Sequence, residues 1–86
     1  MNKRKVYFVE CQENNSDIID ECERFYDLQE SEKYFDLITS NNCKNIIYRL
    51  GVYEEEFNEH FEDYDVIDNT CDILKEKKFD KFGNEE

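Results

Sequence analysis

The sequence predicts an α+β fold: a small antiparallel sheet of three to four strands packed by two to three helices. Two segments, residues 5–11 (KVYFVEC) and 45–54 (NIIYRLGVYE), are rich in β-branched and aromatic residues. Two others, residues 17–28 and 29–40, repeat apolar side chains at helical spacing. Seven Phe and six Tyr among 86 residues supply an aromatic core. That core is small, because a chain this short buries only about 60–65% of its unfolded surface. The length implies a single domain, residues 1–86, with 80–86 expected as a frayed tail.

The elements follow in order. Residues 5–11 read as the first strand, and Asn14-Asn15-Ser16 as a turn or helix cap. In 17–28, Ile18, Ile19, Cys22, Phe25 and Tyr26 fit one helical stripe capped by Ser16, with Asp17, Asp20 and Glu21 favourable in its first turns. A second strand pairing back on the first is the alternative. In 29–40, Leu28, Ser31, Phe35 and Ile38 line a helical stripe flanked by Tyr34. Asp27 and Glu30 fit an N-terminal capping pair, and Asn41-Asn42 ends the helix.

Residues 45–54 are the clearest strand and the expected centre of the sheet. Ile46, Tyr48, Leu50 and Val52 point to one face; Ile47, Arg49, Gly51 and Tyr53 point to the other. Residues 54–68 are either a helix that turns Phe57, Phe61 and Tyr64 inward, or a strand over 61–68 returning along 45–54 with Tyr64 and Val66 inward. Asn69-Thr70 then caps a short helix over 71–79, with Lys75, Lys77 and Lys78 toward its C-terminal end.

Charge is the most distinctive property. The formal net charge is −12. Residues 54–68 contain Glu54, Glu55, Glu56, Glu59, Glu62, Asp63, Asp65 and Asp68 and no Lys or Arg. Residues 10–36 form a second acidic block, including Asp17, Asp20, Glu21 and Glu23, against only Arg24 and Lys33. Such a field attracts cationic surfaces and repels nucleic acid and anionic lipid. The expectation is therefore no direct nucleic-acid or membrane binding. The basic start is followed by too few apolar residues for a signal peptide, so a cytoplasmic protein is expected.

Chemistry-bearing motifs are absent. Two isolated glycines cannot build a phosphate loop, and His60 is the only histidine. Cys11, Cys22, Cys43 and Cys71 contain no C-x-x-C pair, so zinc spacing is missing. Packing thiols are expected, with a cysteine-bridged dimer as the functional alternative. The abundant carboxylates read as solvated rather than tuned for acid–base catalysis, so neither enzyme activity nor a cofactor or metal is expected.

A carboxylate row on a rigid element approaches the charge spacing of a polyanion. On a helix, 54–68 would place one charge per roughly 2.8 Å, between a single DNA strand and a duplex. On a strand, same-side residues stand about 6.6 Å apart. The size, the run from Glu54 to Asp65 (EEEFNEHFEDYD) and the α+β pattern with few glycines resemble those of small acidic bacteriophage proteins that disable host nucleic-acid enzymes. These include DNA-mimic anti-restriction proteins, anti-CRISPR proteins and uracil-DNA glycosylase inhibitors.

The resemblance implies a monomer or weak dimer that occupies the positively charged groove of a CRISPR effector, restriction enzyme or repair enzyme. The residues expected to carry it are Glu54, Glu55, Glu56, Glu59, Glu62, Asp63 and Asp65, with Tyr53 and Tyr64 beside them to stack on Arg. Asp17, Asp20, Glu21 and Glu23 would form a secondary patch. The alternative is a non-mimic interaction module, such as an adaptor, antitoxin or small regulator, binding through a sheet edge or through rings such as Tyr48 or Tyr53.

Overall fold

The computed structural model describes residues 2–40 and 43–86. The chain folds as β1 (Lys3–Glu13), β2 (Asp20–Phe25), α1 (Leu28–Thr39), β3 (Ile46–Asn58), β4 (Asp63–Val66) and β5 (Asp72–Phe79). All pairings are antiparallel. The strand order is β2-β1-β3-β4, and β5 pairs the other half of β3 on the β4 side. β3 is the central strand, as its two-faced apolar pattern predicts. One of its edges pairs β1 from Ile46 to Glu56. The other is shared between β5 at Ile46–Val52 and β4 at Glu55–Asn58.

The expected sheet packed by two to three helices is corrected: the described residues form a curled five-stranded sheet with one helix, 52% strand and 14% helical. Two helices were expected where strands stand. In 17–28, the supposed helical stripe splits: Cys22 and Phe25 pack toward the core, but Ile18 and Tyr26 are 70% and 62% exposed. The ladder with β1 satisfies backbone groups that a helix would have left bare on β1's outer edge. Ser16 caps no helix; its Oγ accepts a bond from the Ile18 N–H in a tight turn.

In 71–79, lysine-rich residues with good helix propensity form β5 instead. The open edge of β3 at Ile46–Val52 needed a partner, and tertiary pairing outweighs a propensity of a few tenths of a kcal/mol per residue. A bulge between the Leu50 and Gly51 pairings bends this strand.

The helix expected over 29–40 is α1. Asp27 occupies its N-cap position but makes no side-chain cap bond, so the expected capping pair is incomplete. Phe35 and Ser31 are fully buried on its inner face. The Ser31 and Thr39 hydroxyls donate to the carbonyls of Leu28 (2.6 Å) and Phe35 (2.7 Å), which makes their burial tolerable. The expected stop at Asn41-Asn42 lies outside the described residues.

The two faces of the sheet are built differently. On the helix side, Val9 and Leu50 sit opposite each other in the ladder and meet Phe35. Phe25 of β2 packs against Tyr34 of α1, ring centroids 5.4 Å apart. On the other side, Val6 and Phe8 are buried. The Phe8 ring lies across Gly51, where a Cβ would come within 2.3 Å of it. Arg49 binds this side together, donating to Glu10 (3.3 Å) and Gln12 (3.2 Å) of β1 and to Glu76 (2.9 Å) of β5.

Residues 80–86 form turns around Asp80. Its Oδ1 accepts the N–H groups of Phe82 and Asn84, both at 2.9 Å, and Phe79 bridges to Glu85. Among the described residues, no helix is long and apolar enough to cross a membrane.

Candidate functional site

The acidic segment is the hairpin of β3 and β4: of the two expectations the strand stands, returning antiparallel on β3 over Asp63–Val66, but it pairs Glu55–Asn58 rather than 45–54. β3 continues past the core to Asn58, residues 59–62 turn, and β4 pairs Glu55–Asn58. The turn is held by Asn58, whose Oδ1 accepts the His60 N–H at 2.9 Å, and by Glu62 at a φ of 52°. Across the pair, Phe57 faces Tyr64 and Glu56 faces Asp65.

Alternation therefore separates the predicted site residues. Glu54, Glu56, Asn58, Asp63 and Asp65 share the face on which the helix covers the sheet further down. Glu56 and Asp65 are like charges directly opposite, an arrangement that destabilises a pair unless relieved. Asn58 relieves part of it, its Nδ2 donating to Asp65 Oδ2 at 2.9 Å. Glu59 and Glu62 stand exposed at the turn. An open cleft of about 560 Å³ runs along this end, lined by Glu56, Asn58, Glu59, His60, Asp65 and Ile67.

Glu55 departs from the row. It points to the opposite face, is only 7% exposed, and accepts Arg4 Nε at 2.9 Å. The Arg4 guanidinium lies 3.6 Å from the ring centroid of Tyr64 and 4.5 Å from that of Tyr26. Burial pulls the Arg4 pKa down, but the bond to Glu55 and the charges of Tyr26, Glu55 and Tyr64 more than offset it, leaving the group above its ordinary value. Tyr64 also packs edge-on against Phe57 at 5.3 Å. Tyr53 is half-buried, with Phe8 at 5.7 Å, and desolvation is the first cause of its raised pKa. The two tyrosines expected to stack on a partner's arginines thus serve the protein's own interior.

The basic run Lys3-Arg4-Lys5 is the feature that composition alone underrated. It aligns with the acidic triplet in strict register: Lys3 opposite Glu56, Arg4 opposite Glu55, Lys5 opposite Glu54. Writing the two triplets antiparallel would have revealed this match. Among the described residues, Glu54, Glu56, Glu59, Glu62, Asp63 and Asp65 have no Lys or Arg within ion-pair distance. The lysines nonetheless moderate the charge of Glu54 and Glu56 from the neighbouring strand. The outer margin, Glu59, Glu62, Asp63 and Asp65, has no such neighbour in the ladder.

The secondary patch is divided as well. Asp17 lies in the exposed loop before β2, while Asp20, Glu21 and Glu23 lie on β2, the opposite end of the strand order from β4. Arg24 donates from Nε and Nη2 to the two carboxylate oxygens of Glu21. The two acidic blocks are thus separate surfaces.

Among the described residues, no group of three or more His, Cys, Asp or Glu is placed to hold a metal ion. No protein-family model matches the chain, no curated protein matches it in sequence, and no solved structure matches it in fold.

Proposed function

We propose that this protein acts by binding: the β3–β4 hairpin presents its carboxylates to the positively charged, nucleic-acid-binding surface of a partner protein, as a DNA-mimic or anti-CRISPR-like inhibitor does. The observation that carries this reading is the set Glu56, Glu59, Glu62, Asp63 and Asp65, exposed, in no ion pair among the described residues, and held on a laddered hairpin. Strand geometry sets same-face charges about 6.6 Å apart, coarser than a helix would give. Such a row meets Lys and Arg side chains spaced for phosphates, and association releases counterions from both surfaces. Rigid presentation matters because loose carboxylates would lose side-chain and backbone entropy on docking.

The test is capture of a nucleic-acid-binding enzyme followed by competition. Duplex DNA should displace the protein, and affinity should fall about a hundredfold between roughly 50 and 200 mM salt. The triple reversal Glu59→Lys/Asp63→Lys/Asp65→Lys should abolish binding, while Glu30→Lys/Asp36→Lys on α1 should leave it. Simultaneous binding of DNA and protein, or equal losses in both variants, would refute charge mimicry. That outcome would favour the second reading, an interaction module using the outer edge of β4, where Val66 and the neighbouring Phe61 are exposed.

A further inference from the structure

Cys11 and Cys22 face each other across β1 and β2 with their sulfurs 3.4 Å apart, Cys22 donating and Cys11 accepting. Both are half-buried, on the helix side of the sheet. A bulge brings them together. Val9 pairs with Glu23 and Glu10 with Glu21, which leaves Cys22 as the extra residue of β2. An unbulged ladder continuing from Val9–Glu23 would set Cys22 opposite Glu10, on the other face from Cys11. The remaining thiols are separate: Cys43 is buried and donates to the Ile38 carbonyl at 3.3 Å, and Cys71 is exposed.

We propose that Cys11 and Cys22 form a redox modification site, a cross-strand dithiol that takes a low-molecular-weight disulfide as substrate and closes to an intrachain disulfide. The Cys11 thiolate attacks one sulfur of R–S–S–R, forming a Cys11–S–S–R bond and releasing the first thiol as RS⁻, which takes up the proton Cys11 lost. The Cys22 thiolate then attacks Cys11 Sγ, and the second R–S⁻ leaves and is protonated. The two cysteines are oxidised by two electrons and the external disulfide is reduced to two thiols. The sulfurs must close from 3.4 Å to about 2.05 Å, a movement within reach of thiol rotation. The order of attack follows from the environment. Burial, then the bond to Cys11, pushes the Cys22 thiol up to about 12, so it acts in the second step, where the tether replaces a bimolecular encounter.

The bond would staple an edge strand. Among the described residues β2 pairs with β1 alone, and it carries Asp20, Glu21 and Glu23. Oxidation therefore fixes the second acidic surface, whatever the hairpin binds. Closing the loop from residue 11 to 22 also restricts the unfolded chain, with an expected rise in Tm of about 10 °C.

The test treats the reduced protein with oxidised glutathione, quenches with acid, alkylates under denaturing conditions and maps the peptides by mass spectrometry. The expected result is a Cys11–Cys22 link in a monomeric chain, with Cys43 and Cys71 alkylated, reversed by dithiothreitol and accompanied by the rise in Tm. Cys71→Ser should leave the link intact, and Cys22→Ala should leave a stable glutathione adduct on Cys11. A product in which Cys11 and Cys22 are both alkylated while Cys71 carries glutathione or bridges two chains would overturn the proposal. The mapping uses the native chain, so it decides the matter even if Cys22→Ala fails to fold.

Discussion

β3 passes through two environments, and the contrast between them explains how this protein is built. Its first half is covered: β1 and β5 flank it, α1 lies over it, and Leu50 meets Val9 and Phe35. Its second half is bare on the helix side, where Glu54 and Glu56 stand in line with Asp63 and Asp65 of β4. The first half is stabilised by apolar burial. The second is held by its ladder, by the match of Lys3-Arg4-Lys5 to Glu54-Glu55-Glu56, and by Arg4 between two tyrosine rings. A surface of like charges is tolerable here because one face of the hairpin carries the cohesion and the other carries the charge.

The sharpest way to break the contrast is to remove its anchor. Phe35→Ala should cost about 3–5 kcal/mol, a large share of the stability of so small a domain, and denaturant titration should show global loss. Gly51→Ala should cost about 1–3 kcal/mol, because the added methyl meets the Phe8 ring at 2.3 Å and the Asp72 carbonyl oxygen at 3.0 Å. Retention of wild-type stability would show that Phe8 moves aside freely.

Arg4→Ala probes the second half. It strands Glu55 in a buried position and removes the cation from between Tyr26 and Tyr64. The expected loss is smaller than for Phe35→Ala and concentrated in the β3–β4 hairpin, read as faster amide exchange at Ile67, whose N–H donates to the Glu54 carbonyl. Adding Glu55→Gln should recover part of it, since a neutral amide tolerates burial better than a lone carboxylate.

The smallest effect concerns the tail. Bonds from the backbone N–H groups of Asn84 and Phe82 hold Asp80 below its ordinary value of 3.8. A carboxylate with a depressed folded-state pKa contributes stability above the unfolded value and loses it as pH falls through the folded one. Amide protection at Phe82 and Asn84 should therefore persist above about pH 4 and fade below it, with little change at Leu50.

Much of this was readable in the residues. The alternation of Ile46 to Tyr53 located the central strand and its faces, and the stripe through Ser31 and Phe35 located the helix. What misled were short segments in which either period fits. Ile18, Ile19, Cys22, Phe25 and Tyr26 satisfy a helical repeat, but only Cys22 and Phe25 contribute to the core. Residues 72–79 have helix-forming side chains, yet the unpaired edge of β3, a non-local feature, decided their state. At the candidate site, the acidic run was plain, whereas its division by strand alternation required knowing that β3 extends to Asn58. Glu55 and Arg4 illustrate the loss: each looked like surface charge, and together they form the hairpin's internal clasp.

The most direct test of the central claim, that the acidic hairpin is a held structure, is residue-resolved amide hydrogen exchange. Protection is expected at Phe57, whose N–H donates to the Asn2 carbonyl at 2.8 Å, and at Ile67, which donates to the Glu54 carbonyl at 2.9 Å. Both should be protected less than Leu50 but far above an unstructured chain. Exchange at unstructured rates throughout 54–67, with the β1–β3 core still protected, would contradict it.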